Sequence, residues 1–181
     1  MTGSLSWQII NLLAAVMLLI AFAMLIQRRV LTLIHLFALQ GLTLTLSTLV
    51  VANTSAQPHL YWSALVTLLL KVLLLPWILH RLVRRLNVKW DVETLINIPI
   101  TMIVGIVLVI LAFNLALPIS ALAGTVTRST LGIALAIVLL AFLMMITRSK
   151  AIPQVIGFLA MENGLFFAAT STTYGMPMVV E

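Results

Sequence analysis

The stretch IPQVIGFLAMENGLFFAATSTT, from Ile152 to Thr173, decides the fold class, because it is an apolar segment of membrane-spanning length with one carboxylate, Glu162, near its middle. An ionised glutamate at the centre of a bilayer costs about 2.5 to 3.5 kcal/mol on insertion scales, so such a side chain is tolerated where it faces protein or water. The pattern therefore predicts a transmembrane helix whose acidic residue has a function.

Small residues in the same helix predict how it packs. Ala160, Gly164 and Ala168 recur every four residues and form a stripe along which another helix can approach closely. Glu162 is two residues from Ala160, which is about 200° around a helix. We therefore expect one side of the helix to pack tightly while the acid faces a second neighbour.

The composition extends this prediction to the whole chain. Of 181 residues, 63% are hydrophobic and 8% are charged, whereas a soluble domain is about a quarter charged. The apolar runs are close to the roughly 20 residues needed to cross a bilayer. We predict an all-α, polytopic membrane helix bundle that forms a single domain over residues 1–181, with spans at about 7–26, 30–51, 60–80, 95–117, 131–147 and 152–173.

The positive charges indicate orientation and exclude nucleic acid as a partner. Most basic residues lie in short loops beside apolar spans, where they act as topology signals. Eight lie in the loops after spans one, three and five, against Arg128 alone on the other side: Arg28, Arg29, Arg81, Arg84, Arg85, Lys89, Arg148 and Lys150. We expect these loops to be cytoplasmic and the N-terminus to be outside, in a cell inner (plasma) membrane. The first residues, MTGSLSWQ, lack a basic region, so we expect a retained first helix.

A second intramembrane charge, Lys71, lies at the midpoint of the third span, and Pro76 follows five residues later. Proline removes one backbone donor and predicts a kink or a local opening of the helix. Lys71 and Glu162 each lie about 16 Å from opposite membrane faces, so they share a depth. After the third span, the segment RLVRRLNVKWDVE, residues 81–93, has a spacing compatible with a helix in the headgroup layer.

The second span carries a polar stripe, formed by Arg29, Thr32, Gln40, Thr43 and Ser47. These side chains either hold helices together or line an ion path. His35 lies off the stripe and is either a proton relay or an interfacial residue. The candidate ion-path residues are therefore Glu162, Lys71, His35, Gln40 and Asn163.

Catalytic and metal-binding patterns are missing from the sequence. With no cysteine, the chain cannot itself hold an iron-sulfur cluster or a thiolate metal site. His35, His59 and His80 are too dispersed to imply a metal site, and no phosphate-binding or nucleophile motif occurs. We expect no cofactor in this chain.

Two motifs resemble segments of a known family. KVLLLP, Lys71–Pro76, and IGFLAMENG, Ile156–Gly164, look like corresponding segments of the E-type membrane-subunit family of hydrogenase-4, found in formate hydrogenlyase and related complexes. The N-terminal MTGS and the spacing between the motifs agree, so the resemblance covers nearly the whole chain. In their last three helices, members of that family are similar to the K-type subunit of complex I and the C subunit of multisubunit sodium/proton antiporters.

The resemblance implies a non-catalytic subunit of a membrane arm. Its expected partners are antiporter-like membrane subunits and a hydrophilic hydrogenase arm bearing nickel-iron and iron-sulfur centres. Glu162 would then stand for the first membrane carboxylate of the K-type pattern. The family continues past the PMVVE region into a further helix with another acid, so we expect either a truncated sequence or a protein without a second acid site.

Two other functions are compatible with the sequence. A chain with six spans could act as a stand-alone small transporter or channel, although no internal repeat is evident in the sequence. A purely structural subunit would use its buried charges only to specify packing.

Overall fold

The computed structural model describes residues 2–55, 58–85, 95–123 and 128–173. These residues are almost entirely helical and include no strand. They form six continuous helices that are long and apolar enough to cross a membrane. The prediction of an all-α, six-span membrane bundle is therefore confirmed, and the chain is a multi-pass membrane protein.

Among the described residues, seven α-helices and one π-helical segment make up the six spans. The third span is a continuous rod of three pieces, α3, the π segment and α4, and each other span is one helix. The bounds are α1 Thr2–Ile26, α2 Val30–Ser55, α3 Pro58–Thr67, the π segment Leu68–Leu74, α4 Leu75–Arg85, α5 Ile98–Ala123, α6 Arg128–Thr147 and α7 Ala151–Thr173.

The bundle has a four-helix centre and two peripheral spans. Helices α1, α2, α7 and α6 contact one another in a ring, the third span packs on α2, and α5 packs on α6 and α1. Fully buried side chains from all four central helices fill the interior, among them Met17, Phe37, Ile137 and Phe167. The peripheral spans expose rows of aliphatic residues, as expected of surfaces that face lipid.

The small-residue stripe of α7 packs against α6, as its spacing predicted. A methyl group added at Gly164 would lie 3.0 Å from Ile137 Cγ2 and 3.3 Å from the Ala134 carbonyl oxygen. Gly157 extends the contact, because a methyl group there would lie 2.8 Å from Met145 Cγ. Glycine permits this close approach of two helix backbones, which leaves the opposite side of α7 for Glu162.

The ends of two spans differ from the predicted ones. The third span continues past His80 to Arg85, so the predicted headgroup helix begins as part of α4, and the rest of that prediction, residues 86–93, lies outside the described residues. One side of α4 is buried through Leu79 and Val83. On the exposed side, Arg81 stacks on Trp77, with its Cζ 5.3 Å from the ring centre. The charges of α4 therefore lie on its exposed side.

Helix α5 begins at Ile98 and continues through Pro118 to Ala123, whereas a span of about 95–117 was expected. A proline inside a membrane helix removes one backbone hydrogen bond without ending the helix. Before the start of α5, the Leu95 N–H donates to the Thr147 carbonyl at 2.9 Å, which ties the incoming chain to the end of α6.

Candidate functional site: an intramembrane ion pair

Lys71 and Glu162 form an ion pair between the third span and α7. The Lys71 Nζ lies 3.1 Å from Glu162 Oε1. The lysine side chain is 10% exposed and the glutamate side chain 51% exposed, so the pair has a buried cation and an anion at the edge of the bundle. The sequence predicted that these residues share a depth, and the structure brings them into direct contact.

The π segment presents Lys71 to its partners. It runs from Leu68 to Leu74, with Pro76 two residues beyond its end, and the Leu75 N–H donates to the carbonyl of Leu70, five residues back. Proline supplies no N–H for the next turn, which favours a break in the regular hydrogen-bond ladder. The predicted local opening is therefore present as a widened π turn, a feature that is frequent at functional sites.

Gly41 on α2 allows the π segment to approach closely. A methyl group added there would lie 3.3 Å from Lys71 Cβ and 3.6 Å from the Lys71 carbonyl carbon. A larger side chain at this position would push Lys71 away from α2. Gly41 was not predicted from the sequence, although a glycine next to a polar residue on the buried stripe of α2 was a usable signal.

A pair of buried amides connects α2 to α7 beside the ion pair. Asn163 Nδ2 donates to Gln40 Oε1 at 3.2 Å, and both residues are fully buried. Gln40 precedes Gly41, and Asn163 follows Glu162. We call the five residues Gln40, Gly41, Lys71, Glu162 and Asn163 the three-helix junction, because they join α2, the π segment and α7.

The junction combines opposite charges with an aromatic ring. Lys71 Nζ lies 5.6 Å from the ring centre of Phe166, one turn after Glu162 on α7, so the ammonium is attracted to both groups. Nζ is close enough to the carboxylate for an ion pair but is not aligned for a hydrogen bond. In apolar surroundings, a charge without a partner is strongly disfavoured, so the contact offsets part of the cost of placing these two groups there.

Glu162 also faces an open groove on the surface of the bundle. The groove has a volume of about 330 Å³, and its lining includes Trp62, Val66, Lys71, Glu162 and Phe166. Its walls are mostly apolar, so the carboxylate is the main polar group that a neighbour in the membrane would meet there. Glu162 therefore meets the third span through Lys71 and is otherwise open at the groove.

The structure does not bring His35 to this junction. Its side chain is exposed on α2, and its Nδ1 lies 2.7 Å from the Leu31 carbonyl of its own helix. The polar stripe of α2 is partly local as well, because Thr43 Oγ1 donates to the Leu39 carbonyl at 2.9 Å. Gln40 is the member of that stripe that reaches another helix through its side chain.

Arg148 is a further buried charge that the sequence did not reveal. Its side chain is 1% exposed, and its Nη2 donates to the carbonyls of Met24 at 3.2 Å and Leu25 at 2.7 Å, at the end of α1. Burial lowers the pKa of Arg148 to about 10. In the sequence it was one of eight basic loop residues, so only its contacts distinguish it.

Metal-binding clusters are not found in the part of the chain that the structure describes. No group of three or more His, Cys, Asp or Glu side chains comes together there. Nickel-iron and iron-sulfur centres need such donors, above all thiolates. The whole chain has no cysteine and so supplies no thiolate ligand for such a centre.

The geometry defines a class, a multi-pass membrane protein with an ion pair between two of its spans. No family model matches the chain. No solved structure matches it. The chain is 31% identical over 166 residues to "Uncharacterized protein Rv0085" of Mycobacterium tuberculosis. The aligned segment covers 91% of this chain and 76% of that protein. The chain therefore belongs to the same family as Rv0085.

Proposed function

We propose that this chain is a non-catalytic membrane-arm subunit of a group 4 nickel-iron hydrogenase or formate hydrogenlyase-like complex. In this role it contributes to proton or sodium translocation coupled to redox chemistry in partner subunits. The observation that carries the proposal is the Lys71–Glu162 ion pair, which bridges two membrane helices at a break in one of them. The resemblance of the KVLLLP and IGFLAMENG segments to the E-type membrane-subunit family of hydrogenase-4 supports the same function.

The ion pair is suited to handling a proton. While the charges are in contact, each stabilises the other, but separating them in an apolar environment favours the neutral acid and the neutral amine. A movement that changes their distance therefore changes where a proton is held. The π segment is a place where the backbone of the third span can rearrange, because its hydrogen-bond ladder is already irregular.

The exposure of Glu162 supports the presence of a neighbouring subunit. A half-exposed carboxylate in the lipid-facing groove would be costly in a lone chain, and a partner helix seated there would shield it. In the proposed complex, the neighbours are antiporter-like membrane subunits. The hydrophilic hydrogenase arm supplies the nickel-iron and iron-sulfur centres, for which this chain lacks the ligands.

Orientation is part of the proposal. The eight basic residues counted in the sequence lie at or beyond the ends of spans one, three and five, three of them in the last turns of α4, and they favour a cytoplasmic position for those ends. Reporter domains fused at Asn53 and at Arg85 are then expected on opposite sides of the inner membrane. The same side for both fusions would contradict this topology.

The test of the proposed function is proton translocation by membranes that contain the native assembly with Glu162→Gln or Lys71→Met. Each change removes one charge of the pair, and we expect assembly to persist while translocation falls by about ten-fold or more, a barrier increase of about 1.4 kcal/mol. Glu93→Gln makes the same chemical change outside the predicted spans and should leave translocation unaltered.

Two results would contradict the proposal. Unchanged translocation in Glu162→Gln would remove the ion pair from the mechanism. Loss of the assembly in both variants would assign the pair a purely structural role. That role is one of the alternatives compatible with the sequence.

A further inference from the structure

The amide pair of Gln40 and Asn163 is left half-satisfied in the membrane interior. Among the described residues, Gln40 Nε2 and Asn163 Oδ1 have no hydrogen-bond partner, although both atoms are buried. Exchanging the nitrogen and oxygen positions of both amides keeps their mutual hydrogen bond and still leaves one donor and one acceptor free. The pair therefore offers two complementary polar atoms that the protein does not use.

We propose that Gln40 and Asn163 together bind an internal water molecule between α2 and α7. Buried amide atoms are rarely left without partners, and an internal water typically makes about three hydrogen bonds to such atoms. One water can accept from the free N–H of one amide and donate to the free carbonyl of the other. The ligand of this site is thus water, held by two side chains that are both fully buried.

The position of the site connects it to the ion pair, so this inference rests on the proposed function. Asn163 follows Glu162 on α7. Gln40 precedes Gly41, and a methyl group added at Gly41 would point at Lys71. The water therefore lies on the inner side of the three-helix junction, while Glu162 opens to the outer groove. A bound water can take up a proton at one lone pair and release another from its opposite side, so its composition is unchanged.

Further polar groups continue from this site along α2. Thr43 and Ser47 are buried on the same stripe, and Ser47 lies seven residues, about 10 Å, beyond Gln40. Asn11 of α1 also has a buried Oδ1 without a partner among the described residues. Since α1 and α2 are antiparallel, Asn11 and Ser47 lie about 22 and 25 Å from their shared turn, which is nearly the same depth. Buried polar groups therefore occur on α1 and α2 at depths farther from that turn than the amide pair.

The direct test is a high-resolution density map of the wild-type chain in its native assembly. We expect a water peak within hydrogen-bonding distance of both Gln40 and Asn163. The absence of a water peak would overturn the inference, and so would two hydrogen bonds directly between the amides. Either result would do so regardless of the measured translocation.

The functional test uses Gln40→Leu and Asn163→Leu in the same assembly. Each should lower proton translocation by about ten-fold, because the water loses one of its two ligands. The control is Thr45→Val, which changes a buried residue of α2 that bonds the Gly41 carbonyl of its own helix and lies beside Tyr61 and Ala64.

The outcomes separate this inference from the proposed function. Normal translocation in both leucine variants, with a loss in Glu162→Gln, would contradict the water's role and leave the proposed function intact. Normal translocation in Glu162→Gln itself would contradict the proposed function, and the density map would still decide whether the water is bound. If the leucine variants fail to assemble, the wild-type map remains the deciding measurement.

Discussion

Gly41 has no functional group, yet the distance between Lys71 and Glu162 depends on it. A methyl group at this position would lie 3.3 Å from Lys71 Cβ, which is a tight contact with an atom bonded to the backbone, and 3.5 Å from Val72 Cγ2, which is an ordinary contact. Lys71 Cβ is fixed to the backbone, so it cannot move away by rotation of its side chain. The glycine therefore sets how closely α2 and the π segment approach, and through that distance it sets the reach of Lys71 toward α7.

We predict that Gly41→Val displaces the π segment and lowers the free energy of unfolding by about 1–3 kcal/mol, the usual cost of overpacking. Translocation should fall with it, while Gly41→Ala should have a smaller effect on both. The measurements are thermal unfolding and proton translocation of the same membranes.

Gly105→Ala is the control for this prediction. A methyl group there would lie 3.1 Å from Leu140 Cδ2 and 3.2 Å from Leu25 Cδ2, which are the ends of flexible side chains away from the junction. Translocation should therefore be nearly normal in the control. An equal loss of translocation in Gly105→Ala and Gly41→Val would show that general packing, and not the approach to Lys71, matters.

At the scale of helices, the turn between α6 and α7 holds several helix ends together through Arg148. Its guanidinium donates to the carbonyls of Met24 and Leu25 in the last turn of α1, where carbonyl groups lack partners within the helix. The Gln154 Nε2 donates to the Arg148 carbonyl at 2.8 Å, which fixes the start of α7. The positive charge also lies at the negative end of the α1 dipole.

We predict that Arg148→Ala destabilises the bundle by about 2–4 kcal/mol, because it leaves a cavity and removes two hydrogen bonds to the end of α1. Thermal unfolding in detergent measures this loss. Arg28→Ala, which changes an exposed arginine at the end of the same helix α1, should leave the unfolding temperature almost unchanged. Equal effects of the two substitutions would contradict the structural role of Arg148.

The lowered pKa of Arg148 fixes the pH dependence of its contribution. Between the folded pKa of about 10 and the higher pKa of an ordinary arginine, the unfolded chain binds more protons, so stability rises with pH only in that window. Near neutral pH the residue is cationic in both states. The cost of Arg148→Ala should therefore be independent of pH there, and a steep dependence near neutrality would contradict this assignment.

For the whole molecule, the sequence predicts the spans well because membrane crossing imposes a length and an apolar composition on each one. It also predicts that Glu162 and Lys71 share a depth, since depth follows from the helical rise. It cannot predict that Gln40 meets Asn163 or that Arg148 caps α1, because periodicity assigns a residue to a face of its helix but not to a neighbouring helix. The continuation of α4 to Arg85 was missed because its charges look like the end of a span, although only one side of that helix is polar.

The arrangement of the six spans also bears on the assembly. The third span and α5 lie at opposite ends of the bundle, and both are largely exposed in the single chain. The third span contributes Lys71 to the junction, so the site lies at the edge of the molecule and not at its centre. A neighbour beside the third span would complete its surroundings, as the proposed function requires.

The most direct test of this account is to isolate the chain from its native membrane through an affinity tag and to identify what accompanies it. We predict that antiporter-like membrane proteins accompany it, together with a hydrophilic subassembly that contains nickel and iron. Isolation of the chain by itself, well folded and able to transport ions in liposomes without partners, would contradict it.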